Sequence, residues 1–314
     1  MNFFDLHCDT AFDMYHKKLS LDSNNLSVNL DCFDKFERKA GIFAIWTNNK
    51  IPKCKAFEDF SAILEYLKLQ IDKNSDRAVL CTDSETLLAD DTRLKIIPSV
   101  EGADLLENDI KRVEFLREKG IRVLTLAWKG ENTSCGGYDT DVGLTDFGYK
   151  VIEECENMGI IIDVSHMSEK AFWEFANVAR FPFFASHSNS AALCMHPRNI
   201  SDTQLRTIVT GGGVVGVTLV GKHLSKALSE NHSELDPESV KEAFIKHVVH
   251  FAEKGCDKNV CIGSDFDGTP ALPGLENVEK MASLVTYMKE HGASDTLVND
   301  IFYQNAFNFF ANNF

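Results

Sequence analysis

Apolar and polar positions along the chain repeat one local order: an amphipathic stretch of helical period, a glycine, then a short run that is almost wholly apolar. Near residue 119 the text reads E-K-G and then I-R-V-L-T-L; near 158, N-M-G and then I-I-I-D-V-S; near 254, E-K-G-C-D-K-N and then V-C-I-G-S-D. The helical period is clearest before Gly159, where Phe147, Val151, Ile152, Cys155 and Met158 share one side. A glycine at that point can take the left-handed conformation that ends a helix. Apolar runs without alternation are the pattern of parallel strands covered on both faces.

The same unit, sought elsewhere, predicts eight strands, at 3–9, 42–46, 95–100, 122–126, 160–165, 182–186, 214–219 and 260–265. Helical text lies at 55–73, 104–119, 146–158, 168–179, 202–210, 237–254 and 277–290, with a terminal segment at 294–313 rich in Phe and Asn. Strands alternating with helices form right-handed βαβ units. Eight of them point to an α/β fold of the closed (β/α)8, TIM-like kind, although an open doubly wound sheet shows the same alternation. No low-complexity linker interrupts residues 1–314, so a single barrel domain is expected.

Composition narrows the class. The net charge of −15 and the lack of a basic stripe argue against nucleic acid as a partner. The nine cysteines are dispersed with no C-x-x-C pair, as expected of reduced, buried thiols. No basic segment followed by an apolar run opens the chain, and no apolar run approaches the ~20 residues of a membrane span, so a cytoplasmic protein without membrane contact is expected.

In a barrel of this kind reactive groups gather at the C-terminal ends of the strands. Five of the eight predicted strands end in unusual polar residues: the first in His7 and Asp9, the third in Glu101, the fifth in D-V-S-H at His166, the sixth in A-S-H at His187, and the last in G-S-D at Asp265. Along a regular strand His7 and Asp9 face one way, with Leu6 and Cys8 opposite, so an imidazole and a carboxylate can meet one cation. His166 and His187, on adjacent strands, can meet a second, and Glu101 has two oxygens with which to bridge. Two metal ions so held form a hydrolytic centre that generates its nucleophile at neutral pH. Mixed nitrogen and oxygen donors suit zinc first, with manganese or cobalt as alternatives.

These motifs, in this order over nearly the whole chain, resemble the renal (membrane) dipeptidase family of zinc dipeptidases, within the metal-dependent, amidohydrolase-like superfamily. D-L-H-C-D-T is similar to its opening H-x-D motif and S-V-E-G-A-D to its V-E-G motif. G-L-T-D-F-G with G-I-I-I-D-V-S-H-M-S forms the most specific block, followed by F-F-A-S-H-S-N-S-A-A, H-P-R-N-I-S-D and I-G-S-D-F-D-G-T-P.

The resemblance implies two Zn2+ per chain, one on His7 and Asp9, the other on His166 and His187, with Glu101 between them. It implies that Asp265 contacts the bridging solvent and carries a proton to the leaving amine. Arg198, in H-P-R-N, matches the arginine that pairs with the substrate's terminal carboxylate, a role that suits a bidentate guanidinium. One departure stands out: where the family has a histidine that polarises the scissile carbonyl, this chain has Trp128, which can donate one hydrogen bond but cannot become cationic. Either Trp128 does that work, or Asn132 substitutes, or the substrate differs. Q-N-A-F-N-F-F only loosely matches the family's G-N-x-x-R.

The expected activity is therefore a metallo-dipeptidase acting through a hydroxide held between two zinc ions. The alternatives are a related dizinc hydrolase of N-acyl amino acids and a non-catalytic metal- or peptide-binding relative. A small dipeptide is the expected partner, with at most a second copy of the chain beside it.

Overall fold

The computed structural model describes residues 1–46, 53–228 and 235–314. Its strands are β1 (Phe3–Cys8), β2 (Lys39–Trp46), β3 (Ala78–Leu80), β4 (Leu94–Glu101), β5 (Val123–Thr125), β6 (Ile161–Asp163), β7 (Val215–Val217) and β8 (Val260–Ile262). The principal helices are α1 (Thr10–Lys17), α2 (Lys53–Lys73), α3 (Lys111–Glu118), α4 (Asp146–Met158), α5 (Glu169–Val178), α6 (Asp202–Thr210), α7 (Pro237–Phe251), α8 (Met281–Glu290) and α9 (Asn305–Asn313). All pairings between these strands are parallel, and they run β6-β5-β4-β2-β1-β8-β7 as one curled sheet. β3 lies off this path against the start of β4, and the apolar pattern did not foresee it.

The gap between β6 and β7 is closed by the expected sixth strand, reduced to single bridges at Phe184 and Ala185. Val164 N–H donates to Phe184 O at 2.9 Å and Gly216 N–H to Ala185 O at 2.8 Å, so the ring of backbone hydrogen bonds is complete. This stave presses inward: a Cβ on Gly216 or Gly263 would fall 1.9 or 1.8 Å from Ser186 O. Only glycine on β7 and just after β8 admits Ser186 there, which places the adjacent His187 at the barrel mouth.

Inside the barrel, Phe4, Ile42, Ile97, Val123, Ile161, Phe184, Val214 and Cys261 give nearly every stave a member of one apolar cluster. Phe309 and Phe310 of α9 belong to it and plug the mouth opposite the site, with the Phe310 ring stacked on Phe4 at 5.5 Å. Truncating a buried phenylalanine of this kind to alanine costs about 3–5 kcal/mol. A second, larger cluster fills the space between staves and helices.

β1 corrects the simple alternation expected of it. Asp5 pairs with Gly41 but Cys8 with Phe43, so three steps on β1 span two on β2. This irregularity, a bulge, lets Leu6 join the lumen cluster while His7 still reaches the site; Cys8, like Phe3, takes the outer side.

The helices carry their sequence signals. Thr145 Oγ1 accepts from Gly148 N at 2.9 Å to start α4, which ends at Gly159 with φ of 66°. Ser201 and Gln204 form a capping box on α6. The terminal helical text is helical over Asp295–Asn313, widened to a π-helix at Asp300–Gln304 before α9. The eight described cysteines are all buried and free, while Cys54 lies outside the described side chains. Among the described residues no helix is long and apolar enough to cross a membrane.

Candidate metal centre

The barrel brings six of the expected residues to one place. His7 lies in β1 and Glu101 ends β4, whereas Asp9, His166, His187 and Asp265 occupy the turns that follow their staves. Glu101 Oε1 sits among three imidazoles, 2.8 Å from His166 Nε2, 3.6 Å from His187 Nε2 and 3.7 Å from His7 Nε2. His7 Nε2 is also 3.5 Å from Asp9 Oδ2 and 3.9 Å from Asp265 Oδ1. The Nε2 atoms of His166 and His187 face each other at 2.9 Å.

Two of these side chains are aimed by unusual backbone. His166 has φ of 69° and Asp265 of 63°, the left-handed region that residues with a Cβ occupy at a cost of about 1–3 kcal/mol. Asp267 shares it, at 68°. Cooperative packing of the rest of the barrel holds these turns.

Behind the donors lies a layer of buried carboxylates and hydroxyls. Asp163 accepts from Thr125 Oγ1 and Ser186 Oγ at 2.7 Å each, and from the backbone N–H of Ser165 and Ser186 at 2.9 Å each. Since Ser186 Oγ gives its hydrogen to Asp163, it can only accept from His187 Nδ1, 2.6 Å away. That fixes the tautomer of His187 and leaves Nε2 as a bare lone pair toward Glu101 and His166. Asp5 plays a similar part deeper in the barrel: it accepts from Ser264 Oγ at 2.5 Å and from Ser264 N at 2.8 Å, tying β1 to the turn that carries Asp265. Burial pushes the Asp5 carboxyl up to about 6.

The electrostatics fit a bound cation. Burial drives His166 and His187 well below the usual imidazole range, keeping both neutral with lone pairs available. Burial opposes charge on His7 too, but Glu101, Asp9 and Asp265 outweigh it and raise its pKa to about 10. The upward push marks the place where a concentration of carboxylate charge calls for positive charge. Burial and the neighbouring Asp9 push Asp265 well up, so it takes a proton more readily than an ordinary carboxylate. His7 Nε2, Asp9 Oδ1 and His166 Nδ1 are buried with no hydrogen-bond partner among the described residues. His7, Glu101 and His187 form one group of donor atoms within 4.8 Å of one another, and His7, Asp9 and Asp265 form a second. Such a donor set fits borderline divalent ions.

Two cavities flank the cluster and share His166. The larger, about 460 Å3, is lined by Tyr138, Lys170, His196 and Arg198 among others. Arg198 is buried; one of its terminal amines donates to His187 O at 3.1 Å, while Nε has no partner among the described residues. The smaller, about 210 Å3, is bounded by Asp9, Trp46, Trp128 and Asp265 among others, so Trp128 does face the site. Asn132 is not available to stand in for it: its amide donates to Leu126 O at 2.7 Å and accepts from Ser134 N and Cys135 N. The residue patterns did not single out Asp163, Tyr138 or Trp46. The inward parity of Asp163 on β6 and the position of Trp46 at the end of β2 were the signals available.

Comparison with known proteins places this geometry. A protein from Klebsiella pneumoniae, described as an uncharacterized protein in the pqqA 5′ region, is 30% identical over 252 residues, 77% of this chain and 91% of its own. A metallo peptidase from Rhodobacter sphaeroides, solved with a phosphinate mimic of the dipeptide L-Ala-D-Ala, superposes with a TM-score of 0.92 at 22% identity, covering 100% of this chain and 99% of its own. The probable dipeptidase PvdM from Pseudomonas aeruginosa gives 0.88 at 19% identity, covering 99% and 95%. The model of the membrane dipeptidase family matches residues 1–312. This chain therefore belongs to the membrane dipeptidases, peptidase family M19, and is a hydrolase of peptide bonds.

Proposed function

We propose that this single barrel domain is a dizinc dipeptidase cleaving short substrates with a free C-terminal carboxylate. One observation carries the reading: five nitrogen- and oxygen-donor side chains and Asp265 converge beside a buried guanidinium with an unpartnered N–H. His7 and Asp9 would hold one zinc ion, His166 and His187 the other, with Glu101 between them; manganese or cobalt would suit the same donors. When bound, such a pair supplies an acidified water at neutral pH and Lewis-acid polarisation of the scissile carbonyl.

The rest falls to the chain's own residues. Asp265, held against the cluster by Asp265 N–H donating to His7 O at 3.0 Å, takes the proton of the attacking water and returns it to the leaving amine. Arg198 pairs with the substrate's carboxylate and so sets the distance from chain end to scissile bond. Trp128 offers an indole N–H toward the carbonyl oxygen, a weaker donor than a cationic group.

The test is turnover by zinc-loaded protein of L,L- and L,D-dipeptides beside N-acyl amino acids, with metal counted by elemental analysis. The Rhodobacter sphaeroides relative was solved with a mimic of L-Ala-D-Ala, which makes the L,D series part of the panel. Dipeptide hydrolysis with two zinc ions per chain is expected. Turnover of acyl substrates alone would overturn the reading in favour of the N-acyl amino acid hydrolase.

A further inference from the structure

A third cavity, of about 330 Å3, lies at the α9 end of the barrel and shares no residue with the two at the metal centre. It opens between the start of β6, residues 181–183 and the last residues of α9. Ile161, Phe175, Phe181, Phe183 and Phe314 make most of its wall apolar. One cation stands among them. Arg122, just before β5, is only 4% exposed, yet it borders this cavity.

The guanidinium has backbone partners but no counterion. Nε donates to Gly159 O at 3.1 Å and Nη1 to Thr82 O at 2.7 Å, while Nη2 makes no hydrogen bond among the described residues. Glu156 shares the cavity but is spent on Arg180, with Oε1 accepting from its backbone N–H at 2.8 Å and Oε2 from its Nε at 2.6 Å. Burial, with Arg117 nearby, pulls the Arg122 pKa down to about 10, as expected of a desolvated cation that lacks a paired carboxylate. The free nitrogen faces open space: a Cβ on Gly159 would meet Nη2 at 3.8 Å and, beyond its chain neighbours, no other atom within 4 Å. The Phe314 ring lies over the guanidinium at 4.8 Å, so a ligand meets it at its edge.

We propose that this cavity is a second ligand site, which binds a small amphipathic carboxylate with its acid group on Arg122 and its apolar body against Phe175, Phe181 and Phe183. A carboxylate supplies the counterion through charge-assisted hydrogen bonds, and an aryl or medium-chain alkyl body covers the ring faces. The site lies apart from the metal centre and does not depend on which peptide bond is cleaved there.

Phenylpropionate and its neutral amide are the probes, titrated calorimetrically into zinc-loaded enzyme. The acid is expected to bind about 10–100-fold more tightly than the amide, the effect of hydrogen bonds to a charged group. Arg198 also attracts carboxylates, so variants locate the binding. Arg122→Met is expected to abolish the preference for the acid and to leave dipeptide turnover unchanged, whereas Arg198→Lys keeps the preference. Phe181→Ala, at an exposed position outside both apolar clusters, folds independently of any role for Arg122 and is expected to weaken the acid about three- to tenfold. A preference lost in Arg198→Lys and kept in folded Arg122→Met would overturn the proposal by placing the ligand at the metal centre. Equal binding of acid and amide, no saturable binding of either, or unchanged affinity in Phe181→Ala would overturn it as well.

Discussion

Gly268 lies so close to Asp9 that a Cβ on it would fall 2.0 Å from Asp9 Oδ2, and 2.6 Å from Asp265 Oδ1. The backbone after β8 is thus packed directly against two carboxylates of the centre, and no side chain fits between. Gly268→Ala is expected to displace Asp9 and to lower zinc content below two per chain, with a stability loss of about 1–3 kcal/mol. Elemental analysis and thermal unfolding read the two effects separately; full metal content with normal turnover would show that Asp9 moves without consequence.

Asp265→Asn keeps the size and the left-handed turn, which asparagine tolerates, but cannot carry the proton. Zinc content should remain near two per chain while kcat falls by about 10²–10⁴-fold. Near-normal kcat would take Asp265 out of the mechanism.

His187 depends on a hydroxyl it shares with Asp163. Ser186→Ala removes the acceptor of the Nδ1 hydrogen and frees the ring to change tautomer, so zinc affinity should fall about 10–100-fold, measured by competition with a chelator. Asp163→Asn should produce a similar loss through the same serine. Unchanged affinity in both would show that His187 is oriented by packing alone.

Arg198 touches His187 O and leaves Nε for a ligand. Arg198→Lys keeps the charge and loses the fork, so KM for a dipeptide should rise about 10–100-fold with kcat much less affected. A fall in kcat at constant KM would reassign Arg198 to the chemistry and away from binding.

The alternation of helix and apolar strand was legible because a parallel barrel buries both faces of each stave, and the clustering of donor side chains could be anticipated because polar residues end five apolar runs. His7, Asp9, Glu101, His166, His187 and Asp265 do converge, and Arg198 and Trp128 do border the same cavities. What local pattern hides is register. The bulge in β1 depends on how β1 meets β2, and no feature of F-F-D-L-H-C-D announces it. Residues 182–186 have a strand's composition but make only single bridges, because Ser186 is drawn into space left by Gly216 and Gly263 on other staves. Trp46 acquires meaning only from Phe12 and Trp128, which reach it from different turns. Asn132 had the right chemistry at the right distance along the chain, but its amide is consumed in shaping its own loop.

Phe309 and Phe310 close the lumen against Phe4, and β8 pairs with β1, so segments far apart in sequence meet in one core. Synthesis delivers Phe4 long before Phe310. During translation β1 must therefore wait, unpaired on one edge and uncovered below, until β8 and α9 have left the ribosome. The barrel is closed by α9, and ribosome-bound chains that stop short of α9 present an open barrel whose aromatic interior is available to chaperones and to other nascent chains.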